Sequence, residues 1–366
     1  MIKAVVMEDP KTGGGVFLKE FEKPSLESGA VLLETIYSEV CGTDCHLLHG
    51  RLGGVPYPII PGHVSVGRIA EMNGEVLDIH GKPFKVGEVV TFLDVHETCG
   101  KCWYCLVAKE TTRCPHRKVY GITYSANEGL LGGWSEYIYL KPGVKIIRLP
   151  ENLTPERFIA GGCGLPTAFH AVERADIKLG DTVVIQGCGP VGLAAVMFAR
   201  LSGAQKVIIT GAPDLRLSLG KKMGADEVVS IEKIAEDERI EHIKELTEGR
   251  GADVVIEAAG APAAVPEGMK MCRDGGTYVI VGQYTDNGSV EINPHLDINK
   301  KHLDIRGCWG CDFSHLYKAI GILSGPGEDF PIQEAISAYY SLNQASKALS
   351  AVENLMVVKA VIDPKR

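Results

Sequence analysis

The 366-residue chain has no surplus of positive charge. Its 38 Lys and Arg stand against 46 Asp and Glu, a net charge of −8, which argues against a nucleic-acid surface and for a freely diffusing protein. An export-type start is missing too: Met1 to Val6 reads as a first strand, with no apolar signal core or small-residue cleavage site behind it. Repeats, low-complexity tracts and long linkers do not occur. One uncharged stretch, Thr182 to Ala199, has the length to suggest a membrane span. It is interrupted by Gly187, Gly189, Pro190 and Gly192, so a buried strand–turn–helix accounts for it better. The expected location is cytoplasmic. In that setting eleven cysteines, several of them clustered, point to metal rather than to disulfides.

What is present is organised around residues 181–226. Thr182 to Ile185 is a short β-branched run suited to a buried parallel strand. Gly187-Cys188-Gly189-Pro190-Val191-Gly192 follows, then a helical segment from Val191 to Ser202, then Gly203 and a second strand, Lys206 to Thr210. This is a βαβ unit with a Gly-x-Gly-x-x-Gly first turn. The first glycine permits the turn, the second lets backbone approach a pyrophosphate, and the third lets helix pack on strand. The helix N-terminus offers N–H groups to the phosphates. A dinucleotide site is expected here.

The pattern changes along the chain. The first 150 residues give short strands at Lys3–Glu8, Val31–Tyr37, Gly67–Met72 and Val89–Leu93, separated by Gly and Pro turns. They predict a mostly antiparallel β domain with function on its loops. From about Leu165 strands and helices alternate, with strands at Val183–Gln186, Val207–Thr210, Val254–Glu257 and Thr277–Gly282, which predicts a doubly wound parallel sheet. The tail returns to mixed structure and a final strand over Met356–Ile362. The expected division is 1–164 with 310–366 as a β-rich domain, carrying a metal lobe at 95–117, and 165–309 as the dinucleotide-binding domain.

Cys99, Cys102, Cys105 and Cys114 place four thiols within sixteen positions. Such spacing lets thiolates converge on one tetrahedral ion, and four sulfurs with no other donor describe a closed, structural zinc site. His96 and His116 flank the set but are not needed. Cys41, His63 and Cys163 form a second, scattered trio. Spacing alone does not join them, although two cysteines and a histidine with an open position make a catalytic zinc set.

Taken together, Cys41-Gly42-Thr43-Asp44, Pro61-Gly62-His63 with Gly67, the four-cysteine lobe, Cys163-Gly164, the dinucleotide turn and Gly251-Ala252-Asp253 resemble the zinc-dependent medium-chain alcohol dehydrogenases over essentially the whole chain. The resemblance implies a GroES-like β-rich catalytic domain enclosing a Rossmann domain. It implies catalytic zinc on Cys41, His63 and Cys163 and structural zinc on the four cysteines, two Zn2+ per chain. Asp44 is then expected to hydrogen-bond His63 and fix its tautomer. Thr43 would accept the alcohol proton and His46 would relay it, with His49 as a competitor. Gly187, Gly189, Pro190, Val191, Gly192, Gly211, Arg216, Thr167, Val281 and Lys359 are the implied cofactor contacts. The implied reaction is reversible hydride transfer between an alcohol, secondary or cyclic, and NAD(P). Polyol oxidation is the nearest alternative, and a non-catalytic zinc-binding module is the alternative of another class. A homodimer or homotetramer acting on small molecules is expected.

Three positions depart from the family pattern. Val64 follows His63 where most relatives have glutamate, which predicts weaker electrostatics behind the zinc; Lys359 stands where many have arginine near that glutamate and the pyrophosphate. Gly211 stands where enzymes using NAD end the second strand with an acid. NADP is thereby admitted, yet Asp214 is acidic nearby and Arg216 is the only close cation, so NAD is favoured. A small Val95 suggests room for substrate, while Tyr120, Trp134 and Trp309 are expected to be structural.

Overall fold

The computed structural model describes residues 1–366, the side chain of Glu97 excepted. The chain separates into two compact units, one of 1–162, 312–320 and 336–366, the other of 163–311 and 321–335.

In the first unit β1 (Ile2–Met7) and β2 (Val16–Phe21) form a hairpin. The main sheet is built on β3 (Val31–Val40), whose two edges serve several partners. β4 (Ser65–Met72) pairs along one edge, and β5 (Val89–Phe92) and β9 (Ile146–Arg148) continue outward from it. β8 (Tyr137–Leu140) pairs with the first half of the other edge. Two short strands, β6 (Val95–Glu97) and β7 (Lys118–Val119), frame the four-cysteine loop. The core beneath the sheet holds Leu33, Ile69, Val90, Phe92 and Tyr120, the last two rings meeting edge to face at 5.3 Å. Two short helices lie beside it, α1 (Gly42–Leu48) and α2 (Pro155–Gly161).

The second unit begins after Gly162. α3 (Gly164–Ala175) buries Leu165, Ala168, Ala171, Val172 and Ala175, a stripe at helical spacing. Six parallel strands follow: β10 (Thr182–Gln186), β11 (Lys206–Gly211), β12 (Glu227–Ser230), β13 (Ala252–Glu257), β14 (Cys272–Ile280) and β15 (Asp304–Gly307). Their spatial order, β12-β11-β10-β13-β14-β15, reverses direction beside β10, as in a Rossmann sheet. Val183, Val184 and Ile185 are wholly buried because both faces are covered. α4 (Pro190–Leu201) is buried on every side from Gly192 to Ala199, which explains its lack of charge. It has 12 residues, and among the described residues no helix is long and apolar enough to cross a membrane. α5 (Asp214–Lys222), α6 (Glu236–Leu246) and α7 (Ala264–Met271) fill the remaining crossovers.

The division differs from the expected one by two residues at each boundary, 163–164 and 310–311 joining the second unit, and by one longer segment of the tail. α8 (Phe313–Leu323) starts in the first unit, but 321–335 group with the parallel sheet. The reason is packing: Gly327 lies against Met197 of α4, Phe330 against Gly224, and Glu334 pairs with Lys222. β16 (Ile336–Tyr340), α9 (Ala345–Glu353) and β17 (Lys359–Ile362) then rejoin the first unit. β17 is shorter than the predicted final strand, since Leu355 and Met356 are exposed. It pairs antiparallel with the end of β3, setting Ala360 against Val40 and Val361 against Glu39.

Candidate active site

α1 opens at the first functional residue. Cys41 is its N-cap, with extended backbone, and its sulfur accepts the Thr43 N–H at 3.3 Å. Asp44 occupies the third helical position and accepts the Cys41 N–H at 2.9 Å. That reciprocal arrangement is a capping box, and it corrects the expectation for Asp44: its hydrogen bond goes to the helix end, and none to His63 is found among the described residues. Burial raises the Asp44 carboxyl well above its usual range, and the neighbouring Cys41 adds to this while His63 opposes it. Its second oxygen and Nδ1 of His63 are both buried without a hydrogen-bond partner.

His63 lies in the Pro61–His63 turn before β4. Gly62 has φ +87°, and a side chain there would strike Ser38 and Trp134, so only glycine allows the turn. Cys163 follows Gly162, the cap of α2. The sulfurs of Cys41 and Cys163, a ring nitrogen of His63 and a carboxylate oxygen of Glu39 all lie within 4.8 Å of one another. Nε2 of His63 is 3.9 Å from the Cys41 sulfur and 3.6 Å from the Glu39 carboxylate. Burial works against a charged His63, yet Cys41, Glu39 and Asp44 hold its pKa well above the ordinary imidazole value. A buried set of thiols, imidazole and carboxylate with this excess of negative charge fits a divalent ion, and the soft donors fit zinc.

Glu39 is the member that sequence reasoning missed. It is fully buried in β3 and ion-paired to Lys359, itself 1% exposed. Two expectations change. Lys359, expected as a cofactor contact, is tied to the metal-type cluster through Glu39, because the pairing of β17 with β3 brings it there. The region behind the donors is also not short of negative charge, since Glu39 sits directly across the strand pair from Val64, its N–H bonded to the Val64 carbonyl at 3.1 Å. The signal was available: a carboxylate two residues before Cys41, between Ser38 and Val40 at the end of a β-branched strand.

Thr43 and His46 share α1. Burial holds the His46 pKa below its ordinary value, with the Arg51 cation contributing, and its Nδ1 has no hydrogen-bond partner. His49 is instead paired with Glu353 at 2.5 Å on the surface. Thr167 stands one turn into α3, its N–H on the Cys163 carbonyl. Val95 is buried. Tyr120 is a core residue, its hydroxyl bonded to the Tyr139 carbonyl and the Lys141 N–H, and Trp134 donates to the Glu39 carbonyl at 2.9 Å. Trp309 stacks on Tyr284 at 5.8 Å.

The four cysteine sulfurs of the lobe also lie within 4.8 Å of one another. Cys102 is 3.5 Å from Cys105 and 3.9 Å from Cys114, close to the roughly 3.8 Å edge of a tetrahedron with 2.3 Å zinc–sulfur bonds. The Lys101 N–H draws the Cys99 thiol down to about 6, while burial pushes Cys105 up to about 12. His96 is engaged elsewhere, with Tyr124 and the Pro142 carbonyl. The lobe therefore fits a closed zinc site.

In the second unit the glycine turn has the required shape. A Cβ on Gly192 would lie 1.9 Å from the Gly187 carbonyl oxygen, and one on Gly187 would meet Ala258. Gly189 has open space where its Cβ would be, and it starts α4 with no side chain capping the helix. An uncapped N-terminus beside open space fits a pyrophosphate. Val191 lies in the first turn of α4, behind Pro190. Val281 lies at the end of β14, its N–H on the Glu257 carbonyl. The buried Glu257 carboxylate accepts the N–H groups of Ala259, Gly260 and Gly282, bracing the loops beside the turn. Gly211 is explained by Cys188, whose sulfur would lie 2.5 Å from a Cβ at that position. Arg216 is 9% exposed and interacts with Cys188.

A GroES-like sheet with two zinc-type donor sets, joined in one chain to a Rossmann sheet, defines a class of dehydrogenase, and comparison with known proteins agrees. Residues 27–151 match the alcohol dehydrogenase GroES-like domain and residues 190–325 the zinc-binding dehydrogenase domain. The chain is 35% identical to 5-exo-hydroxycamphor dehydrogenase of Pseudomonas putida, covering 92% of each. An alcohol dehydrogenase structure from Thermotoga maritima superposes with a TM-score of 0.92 at 34% identity, covering 99% of both chains. A zinc-binding dehydrogenase from Sinorhizobium meliloti, bound to NADP, gives 0.85 at 28% identity, covering 100% of this chain and 99% of that one. The chain belongs to the zinc-dependent medium-chain alcohol dehydrogenases. It is an oxidoreductase that uses zinc and NAD(P).

Proposed function

We propose that the substrate is a secondary or cyclic alcohol, oxidised reversibly to its ketone, and that Cys41, His63 and Cys163 hold the zinc at which it reacts. The convergence of those three side chains is the observation that carries this reading. Zinc supplies a Lewis acid that lowers the pKa of an alcohol, and the nicotinamide supplies the hydride acceptor. The Thr43 hydroxyl receives the alcohol proton, and His46, kept neutral by burial, accepts it in turn. His49, committed to Glu353, is a poor competitor. Likeness to a dehydrogenase of hydroxycamphor, a cyclic alcohol, and a small Val95 support the substrate class.

Gly187, Gly189, Pro190, Val191 and Gly192 take the pyrophosphate in this reading, with Thr167 and Val281 lining the nicotinamide side. Gly211 leaves no acid to bond the adenosine ribose, and Asp214 is paired with Lys233. We therefore read NAD as the cofactor with NADP tolerated; the NADP-bound relative supports the second part. Cys99, Cys102, Cys105 and Cys114 hold a structural zinc. Cysteines clustered as metal-type donor sets support a cytoplasmic location, and the family resemblance alone supports a homodimer or homotetramer. Absorbance of reduced cofactor, measured with each cofactor against primary, secondary, cyclic and polyhydroxy alcohols, tests this. Turnover confined to polyhydroxy substrates, or turnover unaffected by stripping the metal, would overturn it.

A further inference from the structure

We infer that Glu39 is a fourth donor to the metal held by Cys41, His63 and Cys163, leaving the alcohol a fifth position on that metal, and that Lys359 balances its charge. The inference rests on the proposed role of those three residues. Glu39 has both carboxylate oxygens in use. One lies 3.6 Å from Nε2 of His63, among the donor atoms, and the other pairs with Lys359. Its main chain is fixed at both ends, the N–H on the Val64 carbonyl and the carbonyl on the Trp134 indole. Such a carboxylate is preorganised.

The surroundings keep room for the pair. Gly162 has φ +49°, and a Cβ there would lie 2.0 Å from a Glu39 oxygen and 2.7 Å from the Lys359 nitrogen. The residue before Cys163 is thus held to glycine by the ion pair as well as by its backbone. Charge gives the reason for two partners. Two thiolates and one carboxylate carry three negative charges, and a divalent ion with Lys359 carries three positive ones. Removing either member of the pair leaves a net charge in a buried site, which is costly. Val64, directly opposite, has no donor atom to replace Glu39.

The test uses full-length protein loaded with zinc, or with Co2+ as a visible probe, and reads metal content under chelator competition. The variants are Glu39→Gln and the double variant E39Q/K359M, in which neither charge is left alone should the single change fail to fold. Wild type is expected to hold two metals. The double variant is expected to keep the four-cysteine metal and bind the other at least about 10- to 100-fold more weakly, the loss already typical of removing a group that only hydrogen-bonds a metal ligand. The Co2+ band of that metal should also shift. Two metals in wild type, with affinity in the variant unchanged within twofold and an unchanged band, would overturn the inference alone. A wild type holding only the four-cysteine metal would overturn the three-ligand assignment along with it.

Discussion

Lys359→Met is the most informative stability experiment on this chain. Methionine keeps much of the volume of the lysine stem, so the change removes a charge more than it opens a cavity. It leaves Glu39, fully buried, without its cation. Breaking a buried pair from one side costs about 3–5 kcal/mol, roughly two to four decades in the folded-to-unfolded ratio. The loss should be largest in metal-stripped protein and smaller with zinc, because the ion supplies a second positive charge beside the same carboxylate. Trp134 is a built-in probe, fully buried and bonded to the Glu39 carbonyl, whereas Trp103 and Trp309 are exposed. Denaturant unfolding followed at the blue edge of the emission therefore reports on this region. The double variant E39Q/K359M should recover most of the loss, since it leaves no lone charge. A loss below about 1 kcal/mol, or strict additivity of the two single changes, would refute the reasoning.

Cys102→Ser should reduce zinc by one per chain and expose the 95–117 loop to protease while the other metal stays; loss of both metals together would contradict two independent sites. Gly192→Ala forces a Cβ to within 1.9 Å of the Gly187 oxygen. It should weaken cofactor binding, measured by titration, and destabilise the fold by about 1–3 kcal/mol through overpacking. His46→Gln tests the relay by its pH profile. With a folded pKa below the ordinary imidazole value, wild-type oxidation should rise as pH climbs through that lower pKa and then level off, and the variant should lose this limb. The same depression means that stability is present above the unfolded pKa and declines as pH falls toward the folded one.

The parts of the site that were legible are those whose chemistry is local in sequence. Four cysteines within sixteen positions and a glycine turn between strand and helix carry their geometry in their spacing. The Glu39–Lys359 pair could not be read that way. Its partners are 320 residues apart, and only the antiparallel register of β17 on β3 brings them together. Asp44 was ambiguous for a different reason: a carboxylate three residues after a cap looks the same whether it caps the helix or orients a ligand. The fold class followed from the alternation of strands and helices, but 321–335 carry no mark of which sheet they will pack on.

The contact between Cys188 and Gly211 places an order on how this cofactor site can change. An aspartate at 211, the simplest route to firm ribose binding, would drive its Cβ into the Cys188 sulfur at 2.5 Å. That step is unfavourable while Cys188 stands and is eased once a smaller residue occupies 188, which leaves the backbone nitrogen there, 3.0 Å away, as the tightest remaining contact. Cofactor preference is thus gated by an evolutionary sequence of events, in which a silent change in the phosphate turn must precede the selective one at the strand end.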